Sequence, residues 1–147
     1  MMAAGISWVG MDALQKRLFE AHLNALEALG GALYLEGELI MTKSKDDYVP
    51  VDFGALKGSG FVETPEYSAH EATVTLGYGG PAGYREAVKA GIPAERAAKV
   101  PGYALFQHEG HYKHTGQGQR KYLQTPVNEA QQGLAQRIAR RIKRRIL

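Results

Sequence analysis

"MDALQKRLFEAHLNALEALGGALYLEGELIM", Met11 to Met41, is the stretch whose reading decides the fold. Leu14, Leu18, Ala21, Ala25 and Leu29 recur at spacings of three and four, and Leu23, Leu26, Leu33 and Ile40 form a neighbouring stripe. That is the period of an α-helix, not of a strand. Unbroken over 11–41, the helix would be roughly 45 Å long. Gly30-Gly31 is its weak point, because paired glycines cost helix stability and often mark a kink. A helix this long with two apolar stripes is expected to touch more than its own domain.

Outward from this helix the pattern changes. "TKSKDDYVPVDFGALKGSG" places Pro50, Gly54, Gly58 and Gly60 after a cluster of charge, which predicts a loop over 42–60. "FVETPEYSAHEATVTLGYG" alternates apolar and polar residues, most clearly at Ala72, Val74, Leu76 and Tyr78, and predicts two antiparallel strands over about 61–66 and 70–78. "GPAGYREAVKAGIPAERAAKVPG" carries three prolines and four glycines, so it reads as an excursion over 80–102 with one or two helical turns. "YALFQHEG" fits either a strand or a short helix, and the sheet region as a whole is placed at 61–123. Thr125 as N-cap and Pro126 at the first helical position open a C-terminal helix over 125–147, with Leu134, Ile138, Ile142 and Ile146 along one edge. The fold class expected is α+β: a long N-terminal helix packed on a small antiparallel sheet, with a C-terminal helix.

At 147 residues and 44% apolar composition, the chain supports one domain over 1–147, since two would each be undersized. No apolar run reaches the roughly 18 residues that cross a bilayer, and the first residues lack a basic flank ahead of an apolar segment. A soluble protein without an export signal is expected. Cysteine is absent, which removes disulfides, thiolate metal sites and thiol nucleophiles together. The formal net charge is +3, yet Arg137, Arg140, Arg141, Lys143, Arg144 and Arg145 stand together without an acid. The remainder is therefore slightly acidic, and any affinity for polyanions belongs to this tail.

Several motifs invite a chemical reading. "YALFQHEGHYKH", Tyr103 to His114, holds three of the five histidines at three-residue intervals. A zincin helix spaces H-E-x-x-H so that two imidazoles one turn apart reach one Zn²⁺. Here His111 follows His108-Glu109 one residue too early, and Gly110 and Gly116 interrupt the helix, so ordinary hydrogen-bonding histidines are expected. Gly77 to Ala82 satisfies G-x-G-x-x-A, but an antiparallel hairpin precedes it and no returning parallel strand follows, so a turn is expected. Ser59 in "GSG" lacks the glycine at 57 that a nucleophile elbow needs. No catalytic set, metal or cofactor is expected. The basic tail could be a solvated or protein-paired face, a surface for phosphates, or, least well supported, a membrane-surface helix. Without aromatic residues to stack on bases, any DNA contact from it would be to the backbone.

Three segments, in order, resemble the neck or tail-completion family of long-tailed bacteriophages, small virion proteins also described as tail components or minor capsid proteins. "VPVDFGALKGS" is similar to that family's proline-valine-aspartate turn after a long N-terminal helix. "YALFQHEGHYKHTGQGQRKYLQTPVNEA" resembles its tyrosine-alanine strand, His-Glu pair, later histidine, glycine-containing turn, Lys-aromatic-Leu and closing helix. "VTLGYGGPAG" lies between them. The resemblance covers roughly residues 11–140, and the excursion from Tyr84 to Val100 departs from it.

The resemblance implies an α+β virion protein without turnover chemistry. Its place would be a closed ring of six or twelve copies at the head–tail junction or upper tail, assembled in the host bacterial cytoplasm. It implies subunit contacts at Pro50, Asp52, Gly54, Leu56 and Ser59, and at Tyr103, His108, Glu109, His114, Lys121 and Tyr122. Partners would be further copies, other neck, connector or tail proteins, and the backbone of packaged DNA or an acidic partner through Arg137, Arg140, Arg141, Lys143, Arg144 and Arg145. No membrane is expected. The alternative is a sequence-independent DNA-binding accessory protein acting through the basic helix.

Overall fold

The computed structural model of the protein describes residues 10–50, 54–110 and 118–146. Its spine is helix α1, Met11–Lys43, a single span of about 50 Å. The helix continues without a break through Gly30-Gly31, and both glycines have a packing reason. A Cβ on Gly30 would collide with the hydroxyl of Tyr67, and one on Gly31 would stand 2.9 Å from Nη1 of Arg145. The pair seats side chains from two other elements.

The loop expected over 42–60 is largely ordered core. A π-helical turn, Ser44–Tyr48, extends α1, and a short helix α2, Ala55–Gly58, follows Gly54 at φ +74°. Ser44, Val49, Ala55, Leu56 and Ser59 are buried. Asp46 and Asp47 face solvent on the outside of the same turn, so charge and core alternate within a few residues.

The expected hairpin is present, cut into two ladders. Strand β1, Gly60–Val62, pairs antiparallel with β4, Leu76–Tyr78, and β2, Glu66–Tyr67, pairs with β3, Ala72–Thr73. Pro65 lies at the interruption, where its missing N–H breaks the pairing. Among the described residues the sheet ends at Tyr78 and does not extend to 123.

Beyond the sheet the chain is helical: α3, Gly80–Lys89; α4, Ala94–Ala97; and α5, Val100–Glu109. The excursion is thus a helical layer, and Tyr103-Ala104 lies in a helix, not in the strand that the resemblance implies. Prolines that read as breakers act as starters. Pro81 opens α3, Pro93 is the N-cap of α4, and Pro101 is the second residue of α5. A first-turn N–H has no intrahelical partner, so proline costs nothing there.

The C-terminal helix is divided into α6, Gln124–Gln131, and α7, Leu134–Ile146, by Gly133 at φ +70°. Thr125 is not the N-cap: the helix starts behind Leu123, and the Thr125 N–H already bonds the Lys121 carbonyl at 2.9 Å. Pro126 does fall in the first turn, and is buried. α7 folds back antiparallel to α1, because Arg137 reaches Glu36 while Arg145 reaches Glu27. The core gathers where these elements meet, from Val49, Ala55, Leu56, Val100, Ala104 and Tyr122, with Tyr48, Tyr78, Ile92 and Leu123 packed against it. The architecture is α+β, a long N-terminal helix on a small antiparallel sheet with helices closing the C-terminus.

Candidate functional site

His108 and Glu109 occupy the last turn of α5, opposite the turn at Lys121. The backbone N–H of Gln124 points at His108 Nε2 from 3.4 Å, which assigns the proton to Nδ1, and Nδ1 donates to Glu109 Oε1 at 2.6 Å. Lys121 pairs with the second oxygen of Glu109. The Lys121 ammonium, and after it His108, hold the Glu109 carboxyl below the usual carboxylate range. Lys121 adopts φ +58°, and its N–H bonds the His108 carbonyl at 2.7 Å, so the turn is tied to the end of α5 by backbone and side chain alike.

Behind this pair lies Tyr122, 2% exposed. Its ring meets His108 and Tyr78 edge-on at centroid distances of 5.0 and 5.1 Å, arrangements that suit the aromatic quadrupole. Its hydroxyl donates to the Ala104 carbonyl at 2.7 Å. Ser44 gives its one hydroxyl proton to the Tyr122 carbonyl at 2.6 Å and therefore accepts from the Tyr78 hydroxyl at 2.8 Å. Burial pushes the Tyr78 phenol up to about 12. This network joins the π-helical turn, β4, α5 and the start of α6.

Both ring nitrogens of His108 and both oxygens of Glu109 are engaged inside the subunit. Among the described residues no three His, Asp or Glu side chains gather where they could hold a metal ion. His111 and His114 lie outside the described residues. Ser59 is buried, donates to the Leu56 carbonyl at 2.8 Å and accepts from the Gly79 N–H at 3.2 Å, which fits a structural hydroxyl and not a nucleophile. Gly79-Gly80 turns β4 into α3, and α4 follows with no parallel strand.

The interface residues read from the resemblance separate into two groups. His108, Glu109, Lys121 and Tyr122 are brought together, with only Glu109 presenting a large exposed area. Pro50, Leu56 and Ser59 are buried, and Gly54 supplies the left-handed entry to α2. Asp52 and the side chain of Tyr103 lie outside the described residues. The buried members hold this subunit's own core and offer a neighbour little surface.

The basic helix is also divided. Arg137 Nε and Arg141 Nε reach the two oxygens of Glu36 at 2.9 and 3.2 Å, and Arg145 Nη2 reaches Glu27 at 2.8 Å. The other two nitrogens of Arg137 donate to the carbonyls of Gln132 and Ala130, both at 2.6 Å, closing the end of α6. Glu36 is 3% exposed, a buried acid on the face of α1 where the leucine stripe would put an apolar residue. Reading by apolar period passed over it; the signal was the arginine series 137, 141, 145, one helical face that needed acids. Arg140, Lys143 and Arg144 are exposed, Arg144 at the edge of the groove over Ala28 and Ala32. The chain matches no family model, no curated protein and no solved structure.

Proposed function

We propose that this chain is a structural virion protein of a tailed bacteriophage. It would be a neck or tail-completion subunit that assembles into a closed ring at the head–tail junction or upper tail and carries no turnover chemistry. The observation that supports this reading most is α1 itself. From Met11 to Leu23 its large apolar side chains stand in solvent, as expected of a helix completed by neighbouring subunits. The resemblance of the VPVDFGALKGS and YALFQHEG segments names the kind of assembly. Antibody labelling of purified particles under negative stain is the test: label at the neck or upper tail is the expected result, and particles without label there would refute the reading.

A second reading has its own observation, the exposed row of Arg140, Lys143 and Arg144. A protein gripping nucleic acid through these residues would bind phosphates without regard to sequence and lose affinity steeply with salt. Replacing the three by Gln leaves the ion pairs of Arg137, Arg141 and Arg145 in place. Unchanged DNA binding by that variant would reject this reading. None of the helices among the described residues is long and apolar enough to cross a membrane.

A further inference from the structure

Both packing faces of α1 run on past their partners within the subunit. The face that receives α7 buries Ala28, Ala32 and Glu36. Continued toward the N-terminus at spacings of three and four, it presents Ala25, Ala21, Leu18, Leu14 and Met11. The face that receives the hairpin buries Leu26, Gly30 and Gly37, and it continues as Leu23 and Phe19. The hairpin reaches no further than its turn, where His22 bonds the Ala69 carbonyl at 2.7 Å. Met11, Leu14, Leu18, Phe19 and Leu23 are between 41% and 62% exposed, and among the described residues nothing covers them.

The two bare faces point in different directions. At 3.6 residues per turn they stand about 140° apart around the helix axis. One partner helix covers an arc of about 100°, so no single neighbour buries both. Their sizes also differ: one face is Leu14 and Leu18 with the small Ala21 and Ala25, while the other is the bulky Phe19 and Leu23.

Building on the ring reading, we propose that the N-terminal half of α1 is the ring-closing contact and that its occupant is a second copy of this chain. The Leu14–Leu18 face of one copy packs against the Phe19–Leu23 face of the next. With α1 set along the ring axis, cyclic symmetry makes neighbouring α1 helices parallel and level, so Phe19 and Leu23 meet the hollow over Ala21 and Ala25 at the same height. Each helix then uses one face per neighbour, a heterologous contact that closes when its angle matches a polygon. An angle of about 140° lies between those of a hexagon, about 120°, and a dodecagon, about 150°. A two-fold pair would bury one face twice and leave the other bare.

Disulfide trapping tests this, and the native chain has no cysteine to confuse it. Full-length Ala21→Cys and Leu23→Cys proteins are oxidised separately, as a mixture, and as the double variant at the highest soluble concentration. Circular dichroism establishes that each remains folded; position 23 is exposed, so substitution there does not open the core. The expected result is no cross-link from either single variant, heterodimers from the mixture, and a ladder of multimers from the double variant. Dimers of Ala21→Cys alone would instead mean a two-fold pair and overturn the proposal, as would a double variant that stays monomeric. Particle labelling judges the virion reading separately, so a ladder without label, or label without a ladder, shows which of the two has failed.

Discussion

Two regions hold the C-terminal part of this chain to the rest by opposite means. Around Tyr122 the contact is dry: a buried ring, two edge-on aromatic neighbours and short hydrogen bonds between elements far apart in sequence. Along α7 no side chain is buried, and arginines on acids of α1 carry the attachment, over half-covered Ile138 and Ile142. Apolar burial is not screened by salt, whereas a partly exposed ion pair is. The contrast teaches that the subunit has a fixed body and an adjustable brace.

The largest effect should follow from breaking the dry region. Tyr122→Ala removes a fully packed ring and leaves a cavity between Tyr78 and His108, for an expected loss of about 4 kcal/mol in urea unfolding. Tyr122→Phe keeps the ring and loses the bond to the Ala104 carbonyl, for about 1 kcal/mol. If the two variants lost equal stability, the hydroxyl and not the packed ring would be what holds this region.

The brace comes next. Arg137→Ala strips the closing bonds from the end of α6 and leaves Glu36, a buried carboxylate, with Arg141 alone. Removing one member of a buried pair costs up to about 5 kcal/mol, but the Arg137 side chain is 35% exposed and partly screened, so about 2 kcal/mol is expected. The sharper test is salt. At about 1 M, where the screening length is about 3 Å, proteolysis near Gly133 should quicken in the parent chain and change little in Arg137→Ala. Tyr122→Ala should keep the parent's salt response.

These two regions were unequally legible. The length of α1 was plain from its period, and the hairpin from its alternation. What Gly30-Gly31 accommodate was not legible, because a single chain does not say what fills a missing Cβ, here Tyr67 and Arg145. The core segments 44–50 and 54–59 read as loop because proline, glycine and charge describe the outside of a turn while Ser44, Val49 and Leu56 describe its inside. Pro81, Pro93 and Pro101 punctuate as strongly when they start helices as when they end them. Of the Tyr122 network, the His-Glu pair stood out as a motif, but Ser44 and Tyr78 lie far from Tyr122 along the chain and carry no local pattern. Glu36 was hidden in an otherwise apolar stripe, and only the arginines opposite it explain why an acid can be buried there.

A smaller effect tests the exposed end of the brace. Arg145 and Glu27 are both more than half exposed, so Arg145→Ala should cost no more than about 0.5 kcal/mol. The same change frees the space beside Gly31, whose Cβ would otherwise meet Arg145 Nη1. In that background Gly31→Ala should gain toward the roughly 1 kcal/mol by which alanine exceeds glycine in a helix interior. Thermal melts of the single and double variants would read this. A double variant less stable than Arg145→Ala alone would mean that Gly31 serves some contact other than the seat for that arginine.

The smallest effect belongs to the rim of the dry region. Lys121 and His108 lower the folded pKa of Glu109, and Lys43 and Tyr48 do the same for Glu129. A carboxyl whose folded pKa is depressed adds stability above its unfolded value, and that stability is lost as pH falls through the folded value. Glu109→Gln cannot titrate, so between about pH 5 and about pH 3 it should lose less stability than the parent, while near neutrality it should be the less stable of the two. The difference should be small, because the carboxyls of Glu109 and Glu129 are themselves open to water. It should also be absent from Tyr122→Phe, which keeps Glu109, Lys121 and His108 in place. Parallel acid curves for the parent and Glu109→Gln would mean that the Lys121 pair adds nothing to the turn that encloses Tyr122, leaving the backbone bond from Lys121 to His108 to hold it.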